Sequence, residues 1–368
     1  MKVKDMKIVA ALVLMLLAFL SAEVALSSAT VTSKVATSSQ KNCAPLPPPV
    51  GKEVRVGTVT QLYQSLKDAL PSTTITLSDG IYLLDGRSLV INVPGLVIRS
   101  SSGNRDGVII DGGYKANELI QIYASNVTVA DMTIKRAYNH PIHIMPTKNS
   151  STLNTLIYNV HIVDPGEQAI KINPINSGFY TDNGVIACSH IELTDEGRSK
   201  VRNNCYTGGI DAHRSAGWVV RDNLIEGFWC QKGISEHAVH YWKGSSDTIV
   251  ERNNLINNAR GGGFGMITNG TSRIPENNEC KDTTEYVDHF GGIIRNNFIF
   301  ANSKALFSSE VGFDTGISLW QACKPKAIHN TVYSTDPARS FSSIEWRFPL
   351  TSAEITHNLV NVLMQKRN

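Results

Sequence analysis

Short runs in which apolar and polar residues alternate recur along most of the chain. AIKINP at 169–174 and AVHYWK at 238–243 have an apolar residue at every second position, which is typical of β-strands. The runs between them have no helical period, so we predict no crossover helices. The one amphipathic segment is Thr60 to Leu70, whose apolar residues share one helical face.

A phrase centred on asparagine repeats along the same region. WVVRDNLI and TIVERNNLI are near copies of each other, and weaker copies lie on both sides. The later copies align at Asn223-Leu224, Asn254-Leu255, Asn297-Phe298, Asn330-Thr331 and Asn358-Leu359. A constant phrase at variable spacing predicts one structural unit per repeat, with insertions in loops. We expect each asparagine to adopt a left-handed turn and to stack its amide on the next one.

The repeat predicts an all-β solenoid in which parallel strands coil on themselves. An antiparallel sandwich is the alternative. We expect the helix at 60–70 to cover the N-terminal end, because an open solenoid exposes its core. The chain stops soon after Asn358 with no amphipathic cap, so we expect either that this is a fragment or that another chain or domain covers that end.

A second family of strands carries the candidate chemistry. Aligned as small-apolar-X-apolar-X, these strands turn their X positions away from the core. The first outward column is Gln121, His143, Lys171, Asp211, His240, Gly265, Ser318 and Glu345. The second is Tyr123, Met145, Asn173, His213, Trp242, Ile267, Trp320 and Arg347. We therefore expect Lys171, Asp211, His213 and His240 to share one exposed patch.

The N-terminal residues have the composition of a secretory signal. A basic start is followed by 13 apolar residues from Ile8 to Leu20 and then by small residues. We predict a signal peptide at 1–29, a Ser/Thr/Pro-rich linker at 30–53 and the β-helical domain at 54–368. An uncleaved anchor is the alternative to cleavage. The protein is then secreted or periplasmic, with no membrane contact after cleavage.

The net charge and the cysteine content limit the classes of partner and ligand that the chain is expected to bind. The net charge is +3, and part of it belongs to the signal segment, so the chain has no nucleic-acid footprint. The six cysteines lack zinc-ligand spacing and are expected to form disulfides in an oxidising compartment. The pairs that we predict are Cys188–Cys205, Cys280–Cys323 and Cys43–Cys230.

An insertion at 267–290 is rich in acidic residues. They are Glu276, Glu279, Asp282, Glu285 and Asp288. Their spacing lacks the regular pattern of a calcium loop. A solvated acidic loop and a Ca²⁺ site both stay open, and we predict no other metal site.

With the rungs in place, the chain resembles the right-handed parallel β-helix superfamily of pectate lyases, chondroitinase- and alginate-lyase-like enzymes and mannuronan C5-epimerases. The likeness covers about Gln61 to Leu359, and the opening helix followed by TITLSDGIYLL is similar to the usual start of that superfamily. It implies a single-stranded right-handed parallel β-helix with a short N-terminal capping helix.

Two local motifs carry the resemblance to enzymes. Gly209-Ile-Asp211-Ala-His213-Arg214 is similar to the Asp-Pro-His motif of the epimerases, with Ala212 in place of Pro and Gly208 in place of an aromatic residue. Glu236 and Lys243 are similar to a Glu/Lys segment of chondroitinase-type lyases. The resemblance implies an acidic polysaccharide as partner.

The outward patch has the groups that proton abstraction from C5 of a uronate requires. His213 is the preferred base and His240 the alternative, with Asp211 as the group that orients the imidazole. Lys171 and Arg214 would neutralise the substrate carboxylate. The residues expected to bind the sugar are Asn173, Trp242, Trp320, Lys243 and Glu236.

These residues favour a lyase that acts by β-elimination. A C5-epimerase is the alternative, and it ranks lower because the proline and the aromatic residue are missing. A hydrolase ranks third, because it needs two nearby carboxylates and the only outward ones, Asp211 and Glu345, lie four rungs apart. A non-catalytic glycan-binding or adhesion solenoid, with Trp242 and Trp320 as its sugar contacts, also stays open.

Overall fold

The computed structural model describes residues 43–174, 178–271, 273, 280 and 285–368. The predicted signal peptide and most of the predicted linker lie outside these ranges. Within these ranges the first regular element is β1, Glu53–Val56. Residues Pro45–Asn368 form one compact unit.

Helices are few and short in the described part of the chain. α1 is Val59–Lys67, α2 is Asp195–Arg198 and α3 is Lys304–Ser308. The Thr58 hydroxyl caps α1 by accepting from Gln61 N, and Leu62 is fully buried in the core. The amphipathic pattern therefore predicted this helix correctly, within a few residues at each end. No helix in these ranges is long and apolar enough to cross a membrane.

Three long parallel sheets run the length of the unit, and each turn of chain visits them in succession. The strands of sheet 1 besides β1 are β2 Thr74–Leu77, β5 Val97–Ser100, β8 Thr128–Ala130, β12 Leu156–Tyr158, β16 Val185–Ala187, β19 Val219–Arg221, β22 Ser245–Ser246, β23 Ile249–Glu251, β26 His289–Phe290, β27 Ile293–Arg295, β30 Ala322–Ile328 and β33 Ser352–Thr356. A small extra pair is formed by β11 Thr152–Leu153 and β15 Thr181–Asp182.

Sheets 2 and 3 complete each turn. Sheet 2 contains β3 Gly80–Leu83, β6 Val108–Asp111, β9 Thr133–Lys135, β13 His161–Val163, β17 His190–Glu192, β20 Leu224–Glu226, β24 Asn254–Ile256, β28 Phe298–Ala301, β31 Thr331–Ser334 and β34 Leu359–Val360. Sheet 3 contains β4 Leu89–Ile91, β7 Glu118–Ile122, β10 His140–Ile144, β14 Gln168–Ile172, β18 Gly208–His213, β21 Val239–Trp242, β25 Arg260–Phe264, β29 Phe313–Trp320, β32 Ser340–Arg347 and β35 Gln365–Lys366. This is a parallel β-helix, as predicted.

A ladder of asparagines joins the rungs at the corner between sheets 1 and 2. Each amide donates to the next side-chain oxygen at 2.9 to 3.0 Å. Its members are Asn223, Asn253, Asn297, Asn330 and Asn358. The predicted stacking is confirmed, but the member that follows Asn223 is Asn253 and not Asn254.

The left-handed residue of this corner is not the ladder asparagine. It is the residue before it, with φ between 55° and 59°. These residues are Asp222, Arg252, Asn296, His329 and His357. The prediction that the asparagine itself takes the left-handed turn is therefore wrong. Its side chain is needed for the inter-rung bonds, while its neighbour makes the bend.

Sheet 3 has the predicted alternation. Ile170, Ile210 and Val239 stack in register and are fully buried in the core. The outward column runs Gln121, His143, Lys171, Asp211, His240, Gly263, Ser318 and Glu345. The prediction placed Gly265 in this column, so that rung was displaced by two residues.

All six cysteines are disulfide-bonded. Cys280–Cys323 is confirmed. Cys205 bonds to Cys230, so the predictions of Cys188–Cys205 and Cys43–Cys230 are both wrong. Sequence spacing suggested that Cys188 and Cys205 close one excursion, whereas the fold brings the excursion against the loop before β21. The disulfides are typical of an oxidising compartment.

Candidate active site

A pocket of about 350 Å³ opens at the end of the sheet 3 strands. The described residues that line it are Asn173, Pro174, His213, Arg214, Lys243, Ile267, Gly270, Thr271 and Tyr286. Four of the predicted site residues are among them: Asn173, His213, Arg214 and Lys243. The described lining contains two cations, one imidazole and no carboxylate, so it suits an anionic ligand.

Asp211 lies directly behind the pocket, on β18, with only 1% of its side chain exposed. One of its oxygens, Oδ2, accepts from Lys171 Nζ. The other, Oδ1, accepts from Trp242 Nε1 at 2.7 Å and lies 3.4 Å from His213 Nε2. Burial alone would raise the pKa of Asp211, but the charge of Lys171 and the contact with His213 hold that pKa well below its usual range. Asp211 is therefore an anion at neutral pH.

Lys171 is the partner that neutralises this anion. Its ammonium group also donates to the Tyr206 hydroxyl at 3.2 Å and lies 3.3 Å from His213 Nε2. Burial would lower the pKa of Lys171, but Asp211 and Tyr206 raise it above its ordinary value. Lys171 is thus a buried cation that is held by protein groups, and it does not line the pocket.

His213 is the titratable group that meets the pocket. Its side chain is 12% exposed. Burial lowers the pKa of His213, and the Asp211 carboxylate opposes this only in part. The ring is consequently neutral at neutral pH. Nε2 of this ring lies near one donor, Lys171 Nζ at 3.3 Å, and one acceptor, Asp211 Oδ1 at 3.4 Å. In the tautomer with the proton on Nε2, Nδ1 has the lone pair, and none of the described residues bonds to that atom.

Two cations stand at equivalent points of successive rungs. Arg214 follows β18 and Lys243 follows β21, and both have left-handed backbone, with φ of 49° and 56°. The Arg214 N–H donates to Trp242 O at 3.1 Å, which joins the two turns. Neither side chain forms an ion pair with a carboxylate in the described part of the chain. The Arg214 guanidinium reaches the Tyr180 hydroxyl, at 3.4 Å.

The loop after β25 covers this end of sheet 3. Asp288 is fully buried and accepts from Met266 N at 2.5 Å and Ile267 N at 2.9 Å, and also from the Tyr286 hydroxyl. Asp288 therefore anchors the loop, and it is committed to protein donors. Three of the five acidic residues of the 267–290 insertion, Glu276, Glu279 and Asp282, lie outside the described residues, so the choice between a solvated loop and a Ca²⁺ site stays a prediction.

The structure does not bring His240 to the pocket. The ring is fully buried and stacks on Trp242 with centroids 5.3 Å apart. Nε2 lies 3.2 Å from Gly265 O and Nδ1 lies 3.1 Å from a Glu236 oxygen. Both nitrogens thus face protein oxygens, and Glu236 also faces this buried cluster rather than the pocket.

The two tryptophans expected to stack on sugar are buried. Trp242 is 8% exposed and donates to Asp211, and Trp320 is 3% exposed and donates to Glu345 at 2.9 Å. Lys171, Asp211 and His240 are also buried. The prediction of one exposed patch is therefore wrong: the side chains share a face, but loops cover most of it and only the pocket edge is open.

Sequence reasoning missed three residues of this region. Tyr206 bonds Lys171, Tyr286 lines the pocket, and His237 lies among the buried groups next to His240. Tyr206 and Tyr286 lie in insertions without a repeat pattern, so nothing in the sequence placed them. His237 does have a sequence signal. It lies just before β21, and the glycine at 263 on the next rung leaves room for its ring.

No protein-family model matches the sequence, and the search of curated proteins also finds no match. Solved structures do match. A mutant tailspike protein of E. coli bacteriophage HK620, in complex with pentasaccharide, has a TM-score of 0.51 and 11% identity, over 90% of this chain and 59% of that one.

Two enzymes are similar at a lower score. Polygalacturonase from Erwinia carotovora has a TM-score of 0.48 and 12% identity, over 88% of this chain and 96% of that one. An alginate lyase from Paenibacillus has a TM-score of 0.47 and 13% identity, over 84% and 99%. At these identities the likeness concerns the fold alone. The chain has the right-handed parallel β-helix fold.

Proposed function

We propose that this protein is a secreted or periplasmic polysaccharide lyase that cleaves a uronate-containing polymer by β-elimination. The observation that carries the proposal is the pocket itself, whose lining combines a neutral His213 with two cations that have no carboxylate partner among the described residues. The buried Lys171–Asp211 pair supports that imidazole from behind.

Binding comes first. The substrate carboxylate sits between Arg214 and Lys243. Their charge stabilises the carbanion-like state that forms when C5 loses its proton. Lys171, expected from the sequence to take this role, is replaced by Lys243 because its own charge is bound to Asp211. Asn173 supplies a polar contact at the same edge.

One residue, His213, then serves as both base and acid. Nδ1 of His213 takes the proton from C5, and Asp211 steadies the imidazolium through Nε2. The electron pair of the C5–H bond forms the C4–C5 double bond, and the C4–O4 bond breaks. The proton on His213 then passes to O4 of the leaving sugar. At the end of the reaction His213 is neutral again, and Asp211 and Lys171 are still paired.

The C5-epimerase is the second candidate. It uses the same first step and returns a proton to C5 from the opposite face, which requires a second donor across the ring. His240, the other imidazole that the sequence suggested, is enclosed with both nitrogens engaged. The pocket therefore favours elimination.

Hydrolysis and simple binding fit the pocket less well. A glycoside hydrolase needs a pair of carboxyl groups, and none of the described lining residues has one. A glycan-binding solenoid needs exposed aromatic faces, and Trp242 and Trp320 are both covered.

The discriminating experiment incubates the secreted protein with a panel of polyuronates in D₂O. A lyase produces new reducing ends together with the ultraviolet absorbance of a C4–C5 double bond. Deuterium at C5 without chain cleavage would identify an epimerase instead. New reducing ends without unsaturation would identify a hydrolase, and binding without any product would identify a lectin-like solenoid.

A further inference from the structure

Behind the pocket, three side chains with metal-ligating atoms face one another. They are Glu236, His237 and His240, and their ligand atoms all lie within 4.8 Å of one another. A Glu236 oxygen lies 3.1 Å from Nδ1 of His240 and 3.7 Å from Nδ1 of His237. We propose that this cluster is a binding site for a transition-metal dication such as Zn²⁺.

The outer nitrogens of both rings are already fixed. Nε2 of His240 lies 3.2 Å from Gly265 O, and a carbonyl can only accept, so this nitrogen has the proton. Nε2 of His237 lies 2.7 Å from Ser318 Oγ. Histidines that bind a metal usually donate their second N–H to a carbonyl or another oxygen, which fixes the tautomer. Gly265 O holds the His240 ring at Nε2 and Ser318 Oγ holds the His237 ring at Nε2, so each Nδ1 lies on the Glu236 side.

The inner atoms of the cluster are the Glu236 oxygen and the two Nδ1 atoms. In the tautomer with the proton on Nε2, Nδ1 of His240 is an acceptor, and so is the Glu236 carboxylate that it faces at 3.1 Å. Nδ1 of His237 is completely buried and has no hydrogen-bond partner. Buried polar atoms without partners are rare in native proteins. A metal ion at the centre satisfies all three atoms at once.

The backbone makes room for this arrangement. Gly263, the member of the outward column between His240 and Ser318, has no side chain, and a Cβ there would lie 2.8 Å from the His237 ring. His237 occupies that space and spans it to reach Ser318. Larger residues at 263 would displace the ring, so the glycine belongs to the same construction.

The ligand set selects the metal. Two imidazoles and one carboxylate suit Zn²⁺ and related ions, whereas Ca²⁺ prefers oxygen ligands only. All six cysteines form disulfides, so thiolates do not compete. The side chain of Glu236 is 14% exposed, so a fourth ligand such as water would reach the ion from the Glu236 side of the cluster.

The experiment measures Zn²⁺ and Co²⁺ in the full secreted chain. After EDTA treatment and removal of EDTA, we expect the protein to rebind one equivalent of Zn²⁺, and Co²⁺ to give the visible absorption of a tetrahedral site. His237→Gln and His240→Gln keep a donor near each Nε2 position and should abolish this binding. Ser318→Ala, which removes only the outer partner of His237, should weaken Zn²⁺ binding about 10–100-fold.

A second cluster supplies the matched control. His161, His190 and Glu192 on sheet 2 have the same ligand types but are half-buried at the surface. The side chains of its two histidines are 22% and 19% exposed, so water can satisfy ring nitrogens that the buried cluster leaves to a metal. His161→Gln should therefore retain the equivalent of Zn²⁺.

Two outcomes would overturn the proposal. One is a parent protein that binds no stoichiometric Zn²⁺ or Co²⁺. The other is binding that survives in His237→Gln and His240→Gln but is lost in His161→Gln. Circular dichroism of each variant establishes that it is folded, and the metal titration of the unmodified parent does not depend on any variant. The readout is metal binding and not lyase activity, so this test and that of the proposed function fail separately.

Discussion

The ammonium group of Lys171 on β14 is hydrogen-bonded to the carboxylate of Asp211 on β18, and both side chains are buried. The two residues are direct neighbours in the register of sheet 3. The charges of the two side chains cancel, and His213 Nε2 lies 3.3 Å from Lys171 Nζ and 3.4 Å from Asp211 Oδ1. The cation that the sequence suggested for substrate is instead bound to Asp211, the group that we propose orients His213.

We predict that this pair can be broken only at high cost. Asp211→Asn leaves the Lys171 charge buried without a partner, which should lower the free energy of unfolding by about 3–5 kcal/mol. Lys171→Met combined with Asp211→Asn should recover part of that loss. Urea denaturation of the parent, both single variants and the double variant measures the coupling.

The control for this cycle is an exposed ion pair of the same type. Lys115 and Asp85 lie 2.8 Å apart with 63% and 72% of their side chains exposed. Asp85→Asn should leave the free energy of unfolding nearly unchanged, because exposed ion pairs contribute little. If Asp211→Asn costs no more than Asp85→Asn, the buried pair does not hold the base in place through its charges.

The pH dependence of activity follows from His213. Its pKa lies below the ordinary value of 6.5 because of burial, and only the neutral ring can accept the C5 proton. The value of kcat/KM should therefore be level near neutral pH and fall as pH decreases through a point below 6.5.

A variant sharpens this prediction. The positive charge of Lys243 helps to lower the pKa of His213, so Lys243→Met should move the acid limb to higher pH. A pH–rate profile of the parent and of this variant is the measurement. An acid limb above 6.5 in the parent, or one that Lys243→Met leaves in place, would remove His213 as the group that titrates.

The pocket cations should act on substrate affinity and on the transition state together. Arg214→Ala removes a charge-assisted contact worth about 1.5–3 kcal/mol, which corresponds to a loss of about 10–100-fold in kcat/KM. Arg55→Ala, at an arginine with 77% of its side chain exposed on β1, should have no effect. Steady-state kinetics on a polyuronate would contradict the assignment if both variants behaved alike.

The asparagine ladder makes a prediction about the fold. Asn297 donates to Val250 O at 2.9 Å and to Asn330 Oδ1 at 3.0 Å, and it accepts from Asn253. Asn297→Ala should lower the free energy of unfolding by about 1–3 kcal/mol for each buried partner left unpaired. Asn302→Ala, at an exposed asparagine, should change it by less than about 0.5 kcal/mol. Thermal or urea unfolding compares the two, and equal effects would mean that the ladder adds nothing.

Much of the architecture could be predicted from the sequence because it rests on local chemistry. The period of two assigned inward and outward faces on β14, β18 and β21, and the register of Lys171, Asp211 and His240 followed from it. The displaced rung at β25 has a clear cause. Gly261, Gly262 and Gly263 offer no apolar side chain to mark the core face, so Phe264 alone set the alignment, and it fitted either of two positions.

Exposure could not be predicted in this way. Alternation decides which face a side chain takes, but it does not tell whether a loop covers that face. The insertions that contain Tyr206 and Tyr286 have no repeat, yet Tyr206 bonds the buried Lys171 and Tyr286 bonds the buried Asp288. The same limit applies to Cys205, whose partner Cys230 was fixed by the path of those insertions rather than by spacing.

Whether His213 starts a β-elimination is decided by the rate at which C4–C5 unsaturated product forms. The ultraviolet absorbance of that product is followed on the polyuronate that the parent cleaves, for the parent and for His213→Ala. We predict that the variant loses about 10²–10⁴-fold in rate, as expected for a lost general base, while its unfolding midpoint stays close to that of the parent. Unsaturated product formed by His213→Ala at the parental rate would contradict the assignment of His213 as the base.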